Sequence, residues 1–316
     1  MEKDILEIIN QALPTISVVA NSAVILKLTE SVGGVLKTLY EPRLKFRNGK
    51  VDIELKELEK NTTTLTLYEA NRLKNFLKVA GFAYTELKDA EDVDKEGESP
   101  EFDWIMRFFD AVSLVGNEEL QKLWGKVLAG EMRAPGICSL RTLDIIRNLS
   151  QKEAQDFNKI CGLTMRSGFM DFIFDNGFLS LNVDDFGHKL NEESRQIISD
   201  LGLNYTENIS PLIEAGLLAT NNYFAGEFED DTSVTFANSE IFCVIKGAEG
   251  QEPIIFDPYI LTTSGTELYN IIKIASDFKT YSEYCICCIK ELKMKYKNAD
   301  FTVLRNKGND MEDVDI

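Results

Sequence analysis

The sequence predicts a mainly α-helical protein that ends in a smaller α+β part. Apolar residues recur at three- and four-residue steps through most of residues 51–157, the spacing of one buried helix face. Strand-like runs follow only after residue 166. A chain of 316 residues with 44% hydrophobic content can bury a sizeable core, and its length suggests two domains.

An apolar segment at residues 15–40 lies between Pro14 and Pro42. As a helix, the segment would cover roughly the thickness of a membrane. Lys27 and Glu30 lie near its middle, and each costs about 2.5–3.5 kcal/mol at a bilayer centre. We therefore expect an amphipathic helix rather than a transmembrane one. The acidic N-terminus also argues against a secretory signal.

Three roles fit this apolar segment. It packs against the rest of the protein or a second copy, it binds a membrane peripherally with help from the basic residues that follow, or it is released on activation as a membrane-damaging helix. The candidate membrane or assembly surface consists of Val24, Lys27, Leu28, Leu36, Lys37, Arg43, Lys45 and Arg47.

The rest of the N-terminal helical region, which covers residues 1–89, alternates charged and apolar residues at helical spacing. Threonines at 62–64 interrupt the pattern, because β-branched residues are poor helix formers. The expected inward positions are Leu55, Leu58, Leu65, Tyr68, Leu73, Phe76, Leu77 and Ala80. Residues 90–101 are acidic, with Gly and Pro and almost no apolar side chains, which predicts a solvated linker.

The central domain, residues 102–165, holds the densest local signals. Its first helix presents one apolar face, formed by Phe102, Ile105, Phe108, Phe109 and Val112. Asn117 is a suitable N-cap for a second helix, and Glu118 and Glu119 complement the helix dipole in its first turn. The apolar stripe of that helix contains Leu120, Leu123, Trp124, Val127 and Leu128.

Turn and cap residues then divide the rest of this domain. Pro135 and Gly136 end the second helix. Ser139 caps a third helix, and Ser150 with Glu153 forms a capping box for a fourth. The sequence therefore predicts four short helices in a compact unit.

Several short motifs of this domain resemble those of a bacterial family. They are Leu120-Gln121-Lys122-Leu123-Trp124, Leu128-Ala129-Gly130-Glu131, Pro135-Gly136, Ser139-Leu140-Arg141-Thr142-Leu143 and Asn148-Leu149-Ser150. The family they resemble is domain-of-unknown-function family 2806, which is similar in turn to the alpha-type abortive-infection proteins of phage-defence genes. The resemblance implies a defence setting and supplies no catalytic residues. Where family members tend to have a small serine-like residue and an aromatic, this chain has Ile137 and Cys138.

The C-terminal part, residues 166–308, mixes helices with strands. It begins with an aromatic cluster of Phe169, Phe172, Ile173 and Phe174. Helices are expected at 192–201, 205–215 and 266–275, the last capped by residues 262–265. Gly216 is expected to end the second of these as a C′ glycine. The expected strands cover 178–183, a run starting at 217, 233–236, 241–246 and 254–261.

This order of elements, with the phrases LIEAGLL and LTTSGTEL, resembles the winged-helix layout. A winged helix implies DNA binding, but no Lys or Arg occurs from Gln196 through Ile245, and the net charge of the chain is −18. Such a surface cannot neutralise phosphates. We expect the module to pack internally or to recognise a protein. In the second case its acidic wing would face a basic partner. Residues 309–316 are predicted to be an acidic disordered tail.

Catalytic chemistry has few candidates in this sequence. His188 is the only histidine, which excludes sites built on paired histidines, and we interpret it as a surface loop residue. Cys285, Cys287 and Cys288 share one helical turn without the spacing of a zinc site, which indicates buried apolar cysteines. The glycine pairs lack the lysine and spacing of a phosphate loop. No cofactor, metal site or catalytic residue is predicted.

One group of charged residues surrounds the Pro135 turn. Glu131, Arg133 and Arg141 could form a buried ion network, which we interpret as structural, with ligand recognition as the alternative. If the protein is an enzyme with an unrecognised site, these residues and His188 are the first candidates.

The patterns favour a non-enzymatic component of bacterial anti-phage, abortive-infection-like defence that acts by protein–protein contacts or self-association. The alternatives are a membrane-active effector that uses the N-terminal helix, and an enzyme with an unrecognised site. A protein partner or homo-oligomer is expected, nucleic acid is not, and peripheral membrane contact would run through residues 15–47. Six cysteines without a signal sequence indicate a cytoplasmic protein, with the inner-membrane surface as the alternative location.

Overall fold

The structure, a computed structural model, shows a mixed α+β protein. It describes residues 67–87, 100–175, 192–219, 224–226, 233–247, 252–275, 277–307 and 310–316. The chain divides into two compact units, Met1–Gln151 with Ile274–Ser276, and Lys152–Lys273 with Asp277–Ile316. The apolar segment at 15–40 and nearly all of the 90–101 linker lie outside the described residues.

The described part of the first unit is helical. Its helices are α1 (Leu67–Leu87), α2 (Phe102–Val112), α3 (Glu118–Arg133) and α4 (Leu140–Asn148). Helix α1 packs on α2 and α3, and α2 also packs on α4. Aromatic rings form the centre of the core: the ring centroids of Phe76 and Phe109 are 5.1 Å apart, and those of Phe108 and Trp124 are 5.5 Å apart. The central helices therefore form as their apolar spacing predicts.

The predicted caps begin two of these helices. The Asn117 side chain accepts a hydrogen bond of 3.1 Å from the backbone N–H of Leu120. The Ser139 hydroxyl accepts one of 3.3 Å from the backbone N–H of Thr142. Each cap satisfies an N–H group that has no partner within its helix. Helix α3 ends at Arg133, before the predicted Pro-Gly stop.

Two predicted core positions of the first unit are wrong. Tyr68 and Phe102 are exposed. Both lie in the first turn of their helices, where the apolar periodicity continues beyond the surface that neighbouring helices cover. Trp104 is buried on α2 in place of Phe102. The inward positions Leu73, Phe76, Leu77 and Ala80 are confirmed, whereas Leu55, Leu58 and Leu65 lie outside the described residues.

Helix α5 (Gln151–Cys161) starts with the last residue of the first unit and leads into the second. The other helical elements of the second unit are α6 (Glu192–Asp200), a π-helical turn (Tyr205–Ile209), α7 (Ser210–Glu214), α8 (Thr263–Ile272) and α9 (Ser282–Lys295). Its strands are β1 (Met165–Ser167), β2 (Met170–Ile173), β3 (Leu218–Ala219), β4 (Phe224–Gly226), β5 (Ser233–Ala237), β6 (Ile241–Lys246), β7 (Ile254–Phe256), β8 (Tyr259–Leu261), β9 (Asp300–Lys307) and β10 (Asp310–Asp313).

These strands build one large antiparallel sheet and one small one. The large sheet has eight strands in the order β10-β9-β6-β5-β1-β2-β8-β3, and β4 pairs with β7 in the small sheet. In the large sheet Phe236 lies opposite Cys243, and Cys243 opposite Val303. All three side chains are buried, as period-2 alternation requires for one face of a sheet.

The aromatic cluster forms with one correction. Phe172 and Phe174 lie on the same face of the chain, with ring centroids 5.1 Å apart, and Phe236 and Phe256 complete the cluster. Phe169 does not take part, because it occupies the turn between β1 and β2, where it is fully exposed. Gly168 beside it has a positive φ of 57°, a conformation that suits a tight hairpin turn.

The sheet is larger than the sequence prediction of a mainly α protein allowed. The predicted disordered tail is also wrong in part, because Asp310–Asp313 forms β10 against β9. Two of its acidic residues lie opposite basic ones: Asp310 is paired with Lys307 and Glu312 with Arg305 in the register, and Glu312 forms an ion pair with Lys307. Such cross-strand pairs stabilise a sheet edge that composition alone marks as disordered.

The elements predicted between residues 205 and 275 are mostly present. Gly216 ends α7 with a φ of 79°, as predicted for a C′ glycine, and β3 follows it. The expected helix over 205–215 is split between the π-helical turn and α7, which has a proline in its first turn. The strand expected at 178–183 lies outside the described residues. The Thr262 hydroxyl caps α8 by accepting a hydrogen bond of 3.1 Å from the Gly265 N–H.

Candidate functional site

The turn between α3 and α4 is organised by a buried carboxylate. Glu131 is only 2% exposed. Its Oε1 accepts a hydrogen bond of 2.6 Å from the Gly136 N–H, and its Oε2 accepts one of 3.1 Å from the Cys138 N–H. Bonds from backbone N–H groups to a carboxylate are stronger than neutral ones. The charge of Glu131 therefore holds the turn in one conformation.

The same turn is also tied to α2. The indole N–H of Trp104 donates a hydrogen bond of 2.7 Å to the carbonyl of Cys138. Both backbone groups of Cys138 are thus paired, its N–H with Glu131 and its carbonyl with Trp104. The Glu131 carboxylate and the Trp104 indole thus both hold the backbone of the turn at Cys138.

The three residues of the predicted ion network make different contacts. Arg133 donates a hydrogen bond to the backbone carbonyl of Glu86 on α1. Burial lowers the pKa of the Arg133 guanidinium, while the charge of Glu86 opposes that shift. Arg141 is exposed on α4. The structure therefore places Glu131 in the turn, Arg133 against α1, and Arg141 at the surface.

The cysteines of α9 are buried, as predicted. Burial raises the pKa of the Cys285 and Cys287 thiols to about 12, and burial raises the pKa of Cys288 as well. A thiol with so high a pKa is neutral near pH 7, and the neutral form is a poor nucleophile. These residues therefore act as small apolar side chains in the core of the second unit.

A cross-strand ion pair in the second unit is the first part of the candidate site. Asp171 on β2 lies opposite Arg166 on β1. The Arg166 Nε and Nη2 atoms each donate a hydrogen bond of 2.7 Å, to Oδ1 and Oδ2 of Asp171 respectively. The Asp171 side chain is 0% exposed and the Arg166 side chain is 45% exposed. The bidentate pair thus fixes a half-exposed guanidinium on a buried carboxylate.

A lysine beside this pair completes the candidate site. Lys273 follows α8, and its Nζ lies 5.1 Å from the centroid of the Tyr269 ring. Burial and, to a smaller extent, the charge of Arg166 lower the pKa of Lys273, while the charge of Asp171 raises it. Burial also raises the pKa of the Tyr269 hydroxyl, with smaller effects from Cys161 and Asp171, so the phenol stays protonated at neutral pH. Arg166, Lys273 and Tyr269, together with Asp171, form the cation cluster of the second unit.

Sequence reasoning missed this cluster. A signal was present for the Arg166–Asp171 pair, since the two residues flank Gly168 at the spacing of a short hairpin. No local signal links Lys273 to them, because it lies more than a hundred residues away along the chain. The exposure of Phe169 was also missed, because its apolar neighbours favoured a place in the aromatic cluster.

Two predicted sites cannot be placed, because His188 and the N-terminal surface from Val24 to Arg47 lie outside the described residues. Within the ranges that are described, no group of three or more His, Cys, Asp or Glu side chains is arranged to hold a metal ion. None of the helices in those ranges combines the length and the apolar character needed to cross a bilayer.

Comparison with known proteins gives one positive result. No curated protein and no solved structure matches the chain. A family model described as "Protein of unknown function (DUF2806)" matches residues 34–285, which include the α3–α4 turn and the cation cluster. The chain therefore belongs to the DUF2806 family of proteins of unknown function.

Proposed function

We propose that this protein is a non-enzymatic component of bacterial anti-phage, abortive-infection-like defence that acts by protein–protein contacts or self-association. The defence setting rests on the resemblance of the DUF2806 family, whose motifs lie in α3, α4 and the turn between them, to the alpha-type abortive-infection proteins. The mode of action rests on the surface of the second unit. The proposal places the protein in the cytoplasm.

The observation that carries the proposal is the exposure of Phe169. The side chain is 109% exposed at the tip of the β1–β2 hairpin. The strands on either side are held in the large sheet, and Phe172 three residues later is fully buried. A rigid hairpin that presents an aromatic ring to solvent is typical of an anchor residue, since aromatic side chains contribute much of the binding free energy of protein interfaces.

The charged and nucleophilic groups of the described core support a non-catalytic role. The Glu131 carboxylate accepts backbone hydrogen bonds, and Asp171 is held by Arg166. The thiols of α9 have raised pKa values. Each group is thus used for folding, whereas a nucleophile or general base needs an accessible reactive form near neutral pH.

We also propose that α6, the π-helical turn, α7 and the strands β3, β4, β7 and β8 form a winged-helix-like substructure. In support, β3 pairs with β8 and β4 pairs with β7, and both pairings are antiparallel, as in the two strands of a wing. Because the span from Gln196 to Ile245 has no cation, this substructure is proposed to contact a protein, with a basic partner favoured and nucleic acid excluded.

A single substitution tests the contact mode. If the protein acts by self-association, we expect Phe169→Ala to reduce the oligomer fraction measured by mass photometry. If it acts on a protein partner, the substitution should weaken binding to that partner. In both cases it should reduce protection in phage plating assays. The substitution removes a fully exposed ring, so the free energy of unfolding should change by less than about 0.5 kcal/mol.

Met294→Ala is the matched control, because Met294 is an exposed apolar residue on α9 of the same unit. This variant should behave as the unchanged protein in each assay. If Phe169→Ala associates and protects as well as the unchanged chain, the proposed contact mode is wrong. If the unchanged chain gives no protection, the defence setting is wrong.

A further inference from the structure

The large sheet exposes an apolar strip on one of its faces. Phe242 on β6 is 38% exposed, whereas Ile241 and Cys243 on either side of it are buried. Because side chains alternate along a strand, Phe242 points away from the face that Cys243 occupies. Leu304 on β9 and Ala237 on β5 lie directly opposite Phe242 in the register, and both are partly exposed. Residues that lie opposite each other share a face, so these three side chains form a continuous strip across neighbouring strands.

The strip ends in opposite charges. On β1, Arg166 lies opposite Ala237, and on β10, Asp313 lies opposite Leu304. The row across the five strands β10, β9, β6, β5 and β1 is therefore Asp313, Leu304, Phe242, Ala237 and Arg166, with Phe242 on the middle strand.

Both charged side chains at the ends of the row are accessible. The Arg166 side chain is 45% exposed, and Asp313 is exposed. The buried carboxylate of Asp171 orients the guanidinium through its Nε and Nη2 atoms. The remaining N–H groups of Arg166 can donate to a further acceptor.

From this row we propose that the face binds the same face of a second copy of the chain, with a twofold axis through Phe242 and parallel to the strands. The inference rests on the self-association part of the proposed function, for which it names the partner and a surface. Rotation about this axis keeps the level of the row and reverses the order of its strands. Arg166 of one copy then faces Asp313 of the other, Leu304 faces Ala237, and the two Phe242 rings meet at the centre.

Charge complementarity favours a second copy as the occupant. Two molecules that each carry a net charge of −18 repel one another, so their association requires local attraction. A twofold interface brings one patch against itself, and a patch with Arg166 at one end and Asp313 at the other is complementary to itself when reversed. Packed sheets lie about 10 Å apart, a gap that an arginine and an aspartate side chain bridge together.

The size of the face predicts a weak dimer. Five strands about 4.8 Å apart, with about six residues of 3.3 Å each, give a footprint of roughly 20 Å by 20 Å. The accessible area is larger than this footprint because side chains stand out from the sheet, but it remains at the low end for specific interfaces. We expect a dissociation constant of about 10–100 μM.

Sedimentation velocity of the full-length protein at physiological ionic strength tests the dimer, over concentrations of about 1–500 μM. The unchanged chain should show a monomer–dimer equilibrium. Phe242→Ser should weaken the dimer at least about tenfold, because the substitution removes both rings from the centre of the interface. Asp313→Lys should weaken it at least about fivefold, because each lysine would face Arg166 of the other copy.

Two control variants lie on other surfaces of the same unit. Ile255 on β7 of the small sheet is 41% exposed, so Ile255→Ser matches Phe242→Ser in exposure. Asp257 is exposed in the turn between β7 and β8, so Asp257→Lys makes the same charge change as Asp313→Lys. Both controls should dimerise as the unchanged chain does. Thermal unfolding shows whether each variant is folded, and Asp313→Lys on the edge strand provides the test if Phe242→Ser does not fold.

Three results would overturn the inference: a chain that stays monomeric over the whole range, a folded Phe242→Ser variant with an unchanged dissociation constant, and equal dimerisation of Asp313→Lys and Asp257→Lys. The proposed function fails separately. If Phe169→Ala abolishes the dimer and folded Phe242→Ser keeps it, the hairpin contact stands and this face is wrong. A monomeric chain that still protects against phage also overturns this inference, and it leaves binding to a protein partner as the mode of action.

Discussion

The carboxylate of Glu131 determines the conformation of the α3–α4 turn. It accepts the hydrogen bonds that the backbone N–H groups of Gly136 and Cys138 would otherwise donate to water. Gly136 has a φ of 85°, a region that residues with a side chain rarely adopt. One buried charge and one glycine thus shape the turn, and Trp104 ties it to the preceding helix.

Removal of this carboxylate should be costly. We expect Glu131→Ala to lower the free energy of unfolding by about 3–5 kcal/mol, because two buried N–H groups lose a charged acceptor. Glu131→Gln should lower it by about 1–3 kcal/mol, since the amide keeps one acceptor oxygen. Urea denaturation followed by circular dichroism measures both values.

Asp144→Asn is the control for this prediction, because Asp144 is an exposed carboxylate on α4. It should change the free energy of unfolding by less than about 0.5 kcal/mol. A Glu131→Ala variant as stable as this control would contradict the structural role of Glu131.

At the scale of single residues, the sequence identified two helix caps and a buried carboxylate, but not the backbone partners of that carboxylate. Asn117 and Ser139 cap their helices as predicted, because a cap depends on neighbours three residues away. Glu131 was recognised from its charge, and the hydrogen bonds that it accepts from the backbone N–H groups of Gly136 and Cys138 were not predicted. Sequence shows the charges of side chains and does not show which N–H groups a turn exposes.

Among the elements, α9 shows how burial controls cysteine chemistry. Its thiols lie between Tyr284 and Ile289 in the core of the second unit. Because burial disfavours the thiolate, the pKa of Cys285 is raised to about 12 from an ordinary value of 9.0. The helix therefore holds three cysteines that should be unreactive as long as the unit is folded.

Alkylation tests this prediction. We expect iodoacetamide at pH 8 to leave Cys285, Cys287 and Cys288 unmodified in the folded protein and to modify all three in urea, as measured by peptide mass spectrometry. Rapid modification of the folded protein at any of the three would show that α9 is accessible, contrary to the structure.

The same pKa shifts predict alkaline destabilisation. Well below pH 9.0 the thiols are protonated in both the folded and the unfolded states. In that range their burial does not make the free energy of unfolding depend on pH. Between pH 9.0 and about 12 the unfolded chain releases these protons and the folded chain retains them, so stability falls as pH rises. Cys285→Ala should reduce the slope of that fall in pH-dependent urea denaturation.

Prediction of elements succeeded where the signals are local. The helices α2 and α3 and the strand β6 follow their apolar periodicity. Strand β10 was missed, because its acidic composition resembles a disordered tail and its stability depends on pairing with β9. The alternation of buried Phe301 and Val303 in β9 was a usable signal that the acidic surroundings obscured.

At the scale of the whole molecule, the size of the sheet was the main error. Neighbouring strands in the eight-stranded order come from distant parts of the chain: β5 adjoins β1, and β9 adjoins β6. Strand order depends on these long-range pairings, whereas a single sequence shows only the local periodicity. The cation cluster is subject to the same limit, because Lys273 and Arg166 lie more than a hundred residues apart in the chain.

The remaining prediction at this scale concerns membrane contact through residues 15–47. The net charge of −18 opposes approach to anionic lipid, and Lys27 and Glu30 oppose insertion of the apolar segment. We therefore expect the intact protein and a variant lacking residues 1–40 to remain equally in the soluble fraction when each is floated with vesicles that contain anionic lipid.

Vesicles of neutral lipid provide the control for charge, and thermal unfolding of the shortened variant shows whether it is folded. If the intact protein floats with anionic vesicles and the folded shortened variant does not, the N-terminal segment is a membrane-binding element and the membrane-active alternative replaces the contact mode proposed above.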